Sequence, residues 1–219
     1  MPIQRRKRYK LSLRSFKKSY QHRKYRAGVV DGKILDMAKY IIFTADVQKD
    51  QVAKLRNAIT EAVNTGESEI YLAISSGGGN VFEGLSISAL IKSLPIKVTT
   101  HNIGQIDSVA NAIYAAGSER FASANSSFLF HGVSMNLQNP SASEHALQEL
   151  YENIKRFRTA IATATATYVG IQLSEINDLM TKNGGSILSA SEAVTKTIVH
   201  KVVEFNIPQG TQFVSIGNA

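Results

Sequence analysis

From Tyr40 onward the chain alternates between short apolar runs and amphipathic stretches. Residues 40–44 read as a buried strand. Val52, Leu55, Ile59 and Val63 then repeat at the period of a helix that Gly66 closes. Ile70, Leu72 and Ile74 make the next strand, and Ser75-Ser76-Gly77-Gly78-Gly79 follows as a flexible backbone loop. Residues 82–94 read as a helix stopped at Pro95, residues 97–103 as a strand, and an Ala-rich helix starts after Ser108. Residues 127–130 form a further strand that ends on His131. This βαβαβαβ order predicts mostly parallel strands with right-handed crossovers and helices packed outside. In such sheets active groups sit at the C-terminal ends of strands, and Ser108 and His131 both fall there.

Further on, Ser141-Ala142-Ser143-Glu144 reads as a capping box. Behind it Leu147, Leu150, Ile154, Phe157 and Ile161 are spaced 3, 4, 3, 4. The protein's own core could cover this stripe, but a helix of about 25 residues is about 38 Å long, more than a domain of this size readily covers, so a subunit interface is at least as well indicated. Residues 174–180 read as a short helix, Ser189-Ala190-Ser191-Glu192 as a second capping box, and residues 198–205 as a closing strand. The expected organisation is a basic, disordered arm over 1–30, an α/β domain over 31–207 and a loose tail over 208–219.

The 219 residues suit one domain with an appended arm, and they contain no cysteine. Disulfides, thiolate zinc sites and cysteine nucleophiles are thereby excluded. No apolar run approaches the roughly 20 residues that cross a bilayer, so the expectation is a soluble, cytoplasmic protein with no membrane span. The net charge of +8 is unevenly placed: eleven Lys and Arg residues precede the first acidic one, Asp31. With those eleven removed the remainder carries about −3, so the body is mildly acidic and the basicity lives in the arm. Such an arm suits contact with nucleic acid or an anionic surface, although no aromatic-and-glycine signature accompanies it; the alternatives are a targeting peptide and a solvated tail.

A serine hydroxyl becomes a nucleophile when a base takes its proton, and the oxyanion that follows needs preorganised N–H donors. Ser108 and His131 supply the pair. The glycine loop at 77–79 and the amide of Val109 are the candidate donors, since glycine permits close backbone approach. His22, His101, His145 and His200 read as structural or solvent-facing, none has the spacing of a metal site, and no cofactor is expected.

These motifs resemble the proteolytic subunit of the Clp protease, the ClpP family. Ile74-Ser75-Ser76-Gly77-Gly78-Gly79-Asn80-Val81 is similar to that family's Ile-Asn-Ser-Pro-Gly-Gly-Ser-Val, and Gly104-Gln105-Ile106-Asp107-Ser108 to its Gly-x-Ala-Ala-Ser. Residues 124–131 resemble its Pro-Asn-Ser-x-x-x-x-His, and Leu188-Ser189-Ala190-Ser191-Glu192-Ala193-Val194 its Leu-Ser-Ala-x-Glu-Ala-Val. The likeness runs over about residues 40 to 205. It implies a ClpP/crotonase-like α/β spiral of repeated ββα-type units with a protruding handle helix, here from Glu144 onward. It also implies a Ser-His-Asp endopeptidase acting on peptides or unfolded proteins, an oxyanion hole at Gly79 and Val109, homo-oligomeric rings of seven, and an AAA+ unfoldase as partner.

The chain departs from the family at several positions. Gly185 stands where the family has aspartate, Gly77 replaces a proline, Asp107 adds a carboxylate beside the serine, and the glycine-rich stretch after the histidine is reduced to Gly132. Asp178 is the candidate third triad member, with Asn183, a backbone carbonyl or water as substitutes. Two other readings stay open: a non-catalytic ClpP-like subunit retained for assembly, and a crotonase-type acyl-CoA enzyme on the same fold. A lysine base is not indicated, because no lysine lies in the strand or turn that carries His131.

Overall fold

The computed structural model describes residues 28–30, 33–35, 38–134 and 143–218. The expected basic arm lies outside the described residues up to position 27. Two short strands, β1 (Gly28–Val30) and β2 (Lys33–Leu35), pair antiparallel as a separate sheet, so the boundary expected at residue 31 falls inside this pair.

The main sheet begins with β3 (Ala38–Thr44), whose Ile41 and Phe43 are fully buried. Helix α1 (Lys49–Thr65) follows, burying Val52, Leu55, Ile59 and Ala62 and ending on Gly66 in the left-handed conformation. Strand β4 (Glu69–Ser76), helix α2 (Val81–Ser93), strand β5 (Lys97–Asp107), the short helix α3 (Ala110–Ala115) and strands β6 (Glu119–Ala122) and β7 (Ser127–Phe130) come next. The chain continues through α4 (Glu144–Val169), α5 (Leu173–Thr181), β8 (Ser186–Ser189), α6 (Ala190–Thr195), β9 (Lys201–Val202) and β10 (Phe213–Gly217).

The sheet order is β10-β3-β4-β5-β6-β9, with every neighbouring pair parallel. Strand β5 is longer than expected and serves two partners: residues 99–102 pair with β6, and residues 105–107 pair in parallel with β7. Strand β8 lies antiparallel to β7. This split of β5 brings the end that leads into Ser108 beside the strand that leads into His131. Strand β6 was not signalled by the pattern, because its four residues alternate between buried Arg120 and Ala122 and half-buried Glu119 and Phe121.

Three expectations are corrected. The segment expected to be a loose tail carries β10, which pairs in parallel with β3 from Phe213 against Tyr40 to Gly217 against Thr44. Ile216 is buried there, and the Asp46 N–H donates to Asn218 Oδ1 at 2.9 Å. The physical reason is an otherwise unpaired strand edge, which Val214 and Ile216 cover with alternating apolar side chains. The closing strand is reduced to Lys201–Val202. Finally, α4 is capped by Ser143, whose hydroxyl accepts from the Ala146 N–H at 3.2 Å, while Ser141 lies outside the described residues. The second capping box forms as expected, with Ser189 and Glu192 bonding reciprocally.

The 26-residue α4 is buried only along its later half, at Ile161, Ala162, Thr165 and Ala166. Toward its start, Leu147 is 48% and Tyr151 59% exposed. Among the described residues no helix is long and apolar enough to cross a membrane.

Candidate active site

Ser108 follows the last residue of β5 and precedes α3 by one residue. Its φ is +56°, a conformation that non-glycine residues rarely adopt and that costs on the order of 1–3 kcal/mol. The turn is held by the neighbouring strand: the Ser108 N–H donates to the Leu129 carbonyl on β7 at 3.0 Å. Leu129 stands two residues before His131, so one backbone bond ties the serine turn to the strand that carries the imidazole.

The glycine loop lies directly on this turn. A β-carbon at Gly78 would stand 2.7 Å from both the Asp107 carbonyl oxygen and the Ser108 Cβ. Only glycine fits there, and its φ of +86° requires the same residue. The loop is pinned from the other side by Val47, whose N–H donates to the Gly78 carbonyl at 2.7 Å and whose carbonyl accepts from Asn80 at 2.7 Å. Asn80 also caps α2 through its Oδ1, which accepts from Phe82 and Glu83. The Gly78 N–H is used by Ser76 Oγ, whereas the N–H groups of Gly79 and Val109 carry no hydrogen bond among the described residues. The expected oxyanion donors are therefore unspent.

At the end of β7 the His131 Nδ1 lies 2.6 Å from the Gly132 carbonyl oxygen. A carbonyl can only accept, so Nδ1 is the donor in this bond, and in the neutral ring the lone pair is on Nε2. No hydrogen bond joins Ser108 Oγ to His131 among the described residues.

The candidates for the third triad position are not brought to the imidazole. Asp178 is 60% exposed on α5 and forms an ion pair with Lys182 at 2.9 Å one turn on, and among the described residues no hydrogen bond joins it to His131. Asn183 is exposed in the turn Lys182–Gly184, with a φ of +53°. Gly185 does lie against His131, but it brings backbone and no carboxylate. Of the sequence alternatives, the one that hydrogen-bonds the imidazole among the described residues is a backbone carbonyl, that of Gly132.

Asp107 pairs in register with Leu129, two residues before the histidine, and His131 is close enough to act on its charge. Burial pushes its carboxyl above the usual range, while the bond from the Leu129 backbone and the nearby His131 pull it back.

The sequence leaves a backbone carbonyl open as the orienting group but cannot say which, since every residue carries one; Asn111 was not foreseen. Its signature is faint, a lone polar side chain in the apolar run from Val109 to Ala116. His101 and His200 are structural, as expected: His101 is buried between Tyr71 Oη at 2.7 Å and Ser123 Oγ at 3.3 Å, and His200 Nδ1 accepts from the Arg120 N–H. The described residues hold no cluster of His, Asp or Glu placed to bind a metal ion.

The family model for Clp protease matches residues 28–206. ATP-dependent Clp protease proteolytic subunit 2 of Pseudomonas aeruginosa is 25% identical over 183 residues, covering 80% of this chain and 88% of its own. Among solved structures, a mutant of ClpP1 from Listeria monocytogenes superposes with a TM-score of 0.64 at 22% identity, over 76% of this chain and 92% of that one. That likeness supports the ClpP/crotonase-like fold.

Proposed function

This chain belongs to the Clp protease family, and from that premise we propose that it is a serine endopeptidase that cleaves peptide bonds through an acyl-enzyme on Ser108. The observation that carries the reading is the tie between the Ser108 turn, held at positive φ, and the Leu129 carbonyl two residues before a histidine whose Nε2 is left free to act as base.

In this mechanism Ser108 Oγ attacks the scissile carbonyl carbon and passes its proton to His131 Nε2. The oxyanion settles against the N–H groups of Gly79 and Val109, which are preorganised and need not reorient. The imidazolium then gives its proton to the leaving amine, the C–N bond breaks, and water repeats the sequence to release the acid. The Ser108–His131 bond is made on substrate binding or assembly, as catalytic hydrogen bonds often tighten only in the complex.

The Gly132 carbonyl fixes the tautomer of His131 but, being neutral, stabilises the imidazolium less than a carboxylate does. Loss of the acid in a Ser-His-Asp triad lowers turnover by about 10⁴, so this enzyme is expected to be slow. A second reading, a non-catalytic subunit, is favoured by Gly185 and by the absence of a Ser108–His131 hydrogen bond among the described residues. Oligomeric assembly is typical of the family, and we assign it to the exposed start of α4, with peptide or unfolded protein as substrate and an AAA+ unfoldase as partner.

A fluorophosphonate probe tests the chemistry. The assembled protein should take one adduct, mapped by mass spectrometry to Ser108, and Ser108→Ala should take none and hydrolyse no fluorogenic peptide. An assembled parent protein without an adduct would identify the non-catalytic subunit instead.

A further inference from the structure

Asn111 is the second residue of the helix that follows the nucleophile, and it is 2% exposed. Its Nδ2 donates to the Ser108 carbonyl at 3.1 Å and to the Leu129 carbonyl at 2.9 Å. Its backbone N–H donates to the same Ser108 carbonyl at 3.1 Å. One side-chain amide therefore bridges the turn that presents the serine and the strand that presents the histidine. The Leu129 carbonyl receives two donors, Asn111 Nδ2 and the Ser108 N–H. The peptide groups on both sides of the Ser108 side chain are thus anchored, the N–H to β7 and the carbonyl to Asn111.

The amide's other end argues that this bridge is the reason for the residue. Asn111 Oδ1 is buried and has no hydrogen-bond partner among the described residues. A buried acceptor left unpaired destabilises a fold, and an alanine of the kind that surrounds it would avoid that penalty. What alanine cannot do is donate to two carbonyl oxygens at once. A serine at φ +56° relaxes toward the ordinary helical region unless its neighbours hold it, and relaxation would carry Oγ away from Nε2.

We propose that Asn111 is a positioning residue for the nucleophile: its amide clamps the Ser108 carbonyl to the Leu129 carbonyl and so sets the distance between Ser108 Oγ and His131. The assignment rests on the serine-peptidase reading above, and its test separates the two.

Peptide kcat and KM and the rate of fluorophosphonate labelling are measured on the full-length chain, well below the melting temperature of each variant. Asn111→Ala should lower kcat and the labelling rate by about 100-fold, the effect of a reacting group displaced by about 1 Å, with KM changed no more than about twofold. Asn111→Asp keeps the shape and donates only when protonated, and then through a single O–H, enough to restore one of the two bonds. Its activity relative to the parent protein should therefore rise as pH falls, a trend that a merely structural residue would not produce. If Asn111→Ala does not fold, Asn111→Asp at acid pH carries the test. Parental kcat and labelling in a folded Asn111→Ala, or an Asn111→Asp ratio independent of pH, would overturn the positioning role while leaving Ser108 as nucleophile. An assembled parent protein that takes no label at all would overturn the peptidase reading, and this role with it.

Discussion

Gly185 packs so closely on His131 that a β-carbon at position 185 would stand 3.0 Å from the His131 Cβ and 2.6 Å from the Phe130 carbonyl oxygen. Its φ of +136° and ψ of 174° belong to a region that is essentially glycine-only. Gly185, which stands where the sequence resemblance places an aspartate, has no room for a side chain in this conformation. Gly185→Asp should destabilise the protein by about 1–3 kcal/mol in urea unfolding and should not raise peptide turnover. Restored triad-like activity in a stable Gly185→Asp would show that the loop can open to admit a carboxylate.

The two neighbouring glycines of the substrate-side loop should differ sharply. Gly78→Ala drives a methyl into Ser108 at a positive φ, and a loss of about 100-fold or more in turnover is expected. Gly77→Ala meets only Asp46 Oδ1 at 3.6 Å and Gln105 Nε2 at 3.8 Å, so it should fold and cleave as the parent does. Similar activities for the two variants would contradict the contact of Gly78 with the nucleophile.

Asp107 predicts a pH dependence of stability. Burial raises its carboxyl above the ordinary 3.8, so in this range the folded state holds its proton more tightly than the unfolded state. Stability from this group is greatest in acid and declines as pH rises above that value. The difference in unfolding free energy between the parent protein and Asp107→Asn should accordingly fall as pH rises from about 3.8, measured by urea titration. A difference that grows with pH would reverse the assignment.

His101 predicts the opposite trend at higher pH. Burial lowers its pKa below 6.5, against smaller opposing effects from the Val203 backbone and Glu204. The unfolded chain then takes up a proton that the folded ring refuses, and stability is lost as pH falls below about 6.5. Tyr71 and Ser123 bond the ring, and the Tyr71 hydroxyl is itself pushed up to about 12 by burial, so it stays neutral throughout. His101→Gln should be less sensitive to acid between pH 7 and 5 in thermal melts; equal sensitivity would assign the effect elsewhere.

Much of this architecture was legible because periodicity reports burial. Val52, Leu55 and Ile59 named the core face of α1, and Gly66 ends that helix as read. The Ser108 turn and the His131 strand end follow from the βα alternation, and the motifs carried the family. Asp178 could not be judged the same way. Its role depends on where a helix surface faces, and the nearest cation, Lys182, captures its carboxylate one turn away. The Gly79 and Val109 amides were legible through the glycine loop and the motif, whereas the Gly132 carbonyl is a backbone group that side-chain identity does not single out. Strand β10 escaped notice because its partner, β3, lies about 170 residues earlier and no local pattern links them.

The start of α4 offers the assembly test. Leu147→Asp combined with Tyr151→Asp places two charges on a face that is 48% and 59% exposed in the single chain and should not disturb its fold. Light scattering should show a smaller particle than the parent protein's. An unchanged mass would place the subunit contact on another surface.

The pairing of β10 with β3 also has a meaning in time. Residues 40–44 are made early, yet their outer edge has no partner until residues 213–217 have been synthesised. Until then a growing chain displays a row of unpaired N–H and carbonyl groups beside the buried Ile41 and Phe43, the kind of edge on which chains aggregate. The last strand therefore acts as a seal on a vulnerability opened by the first strand of the main sheet. Chains stopped at residue 205 should self-associate and be cut by protease near β3, whereas chains that reach residue 218 should not.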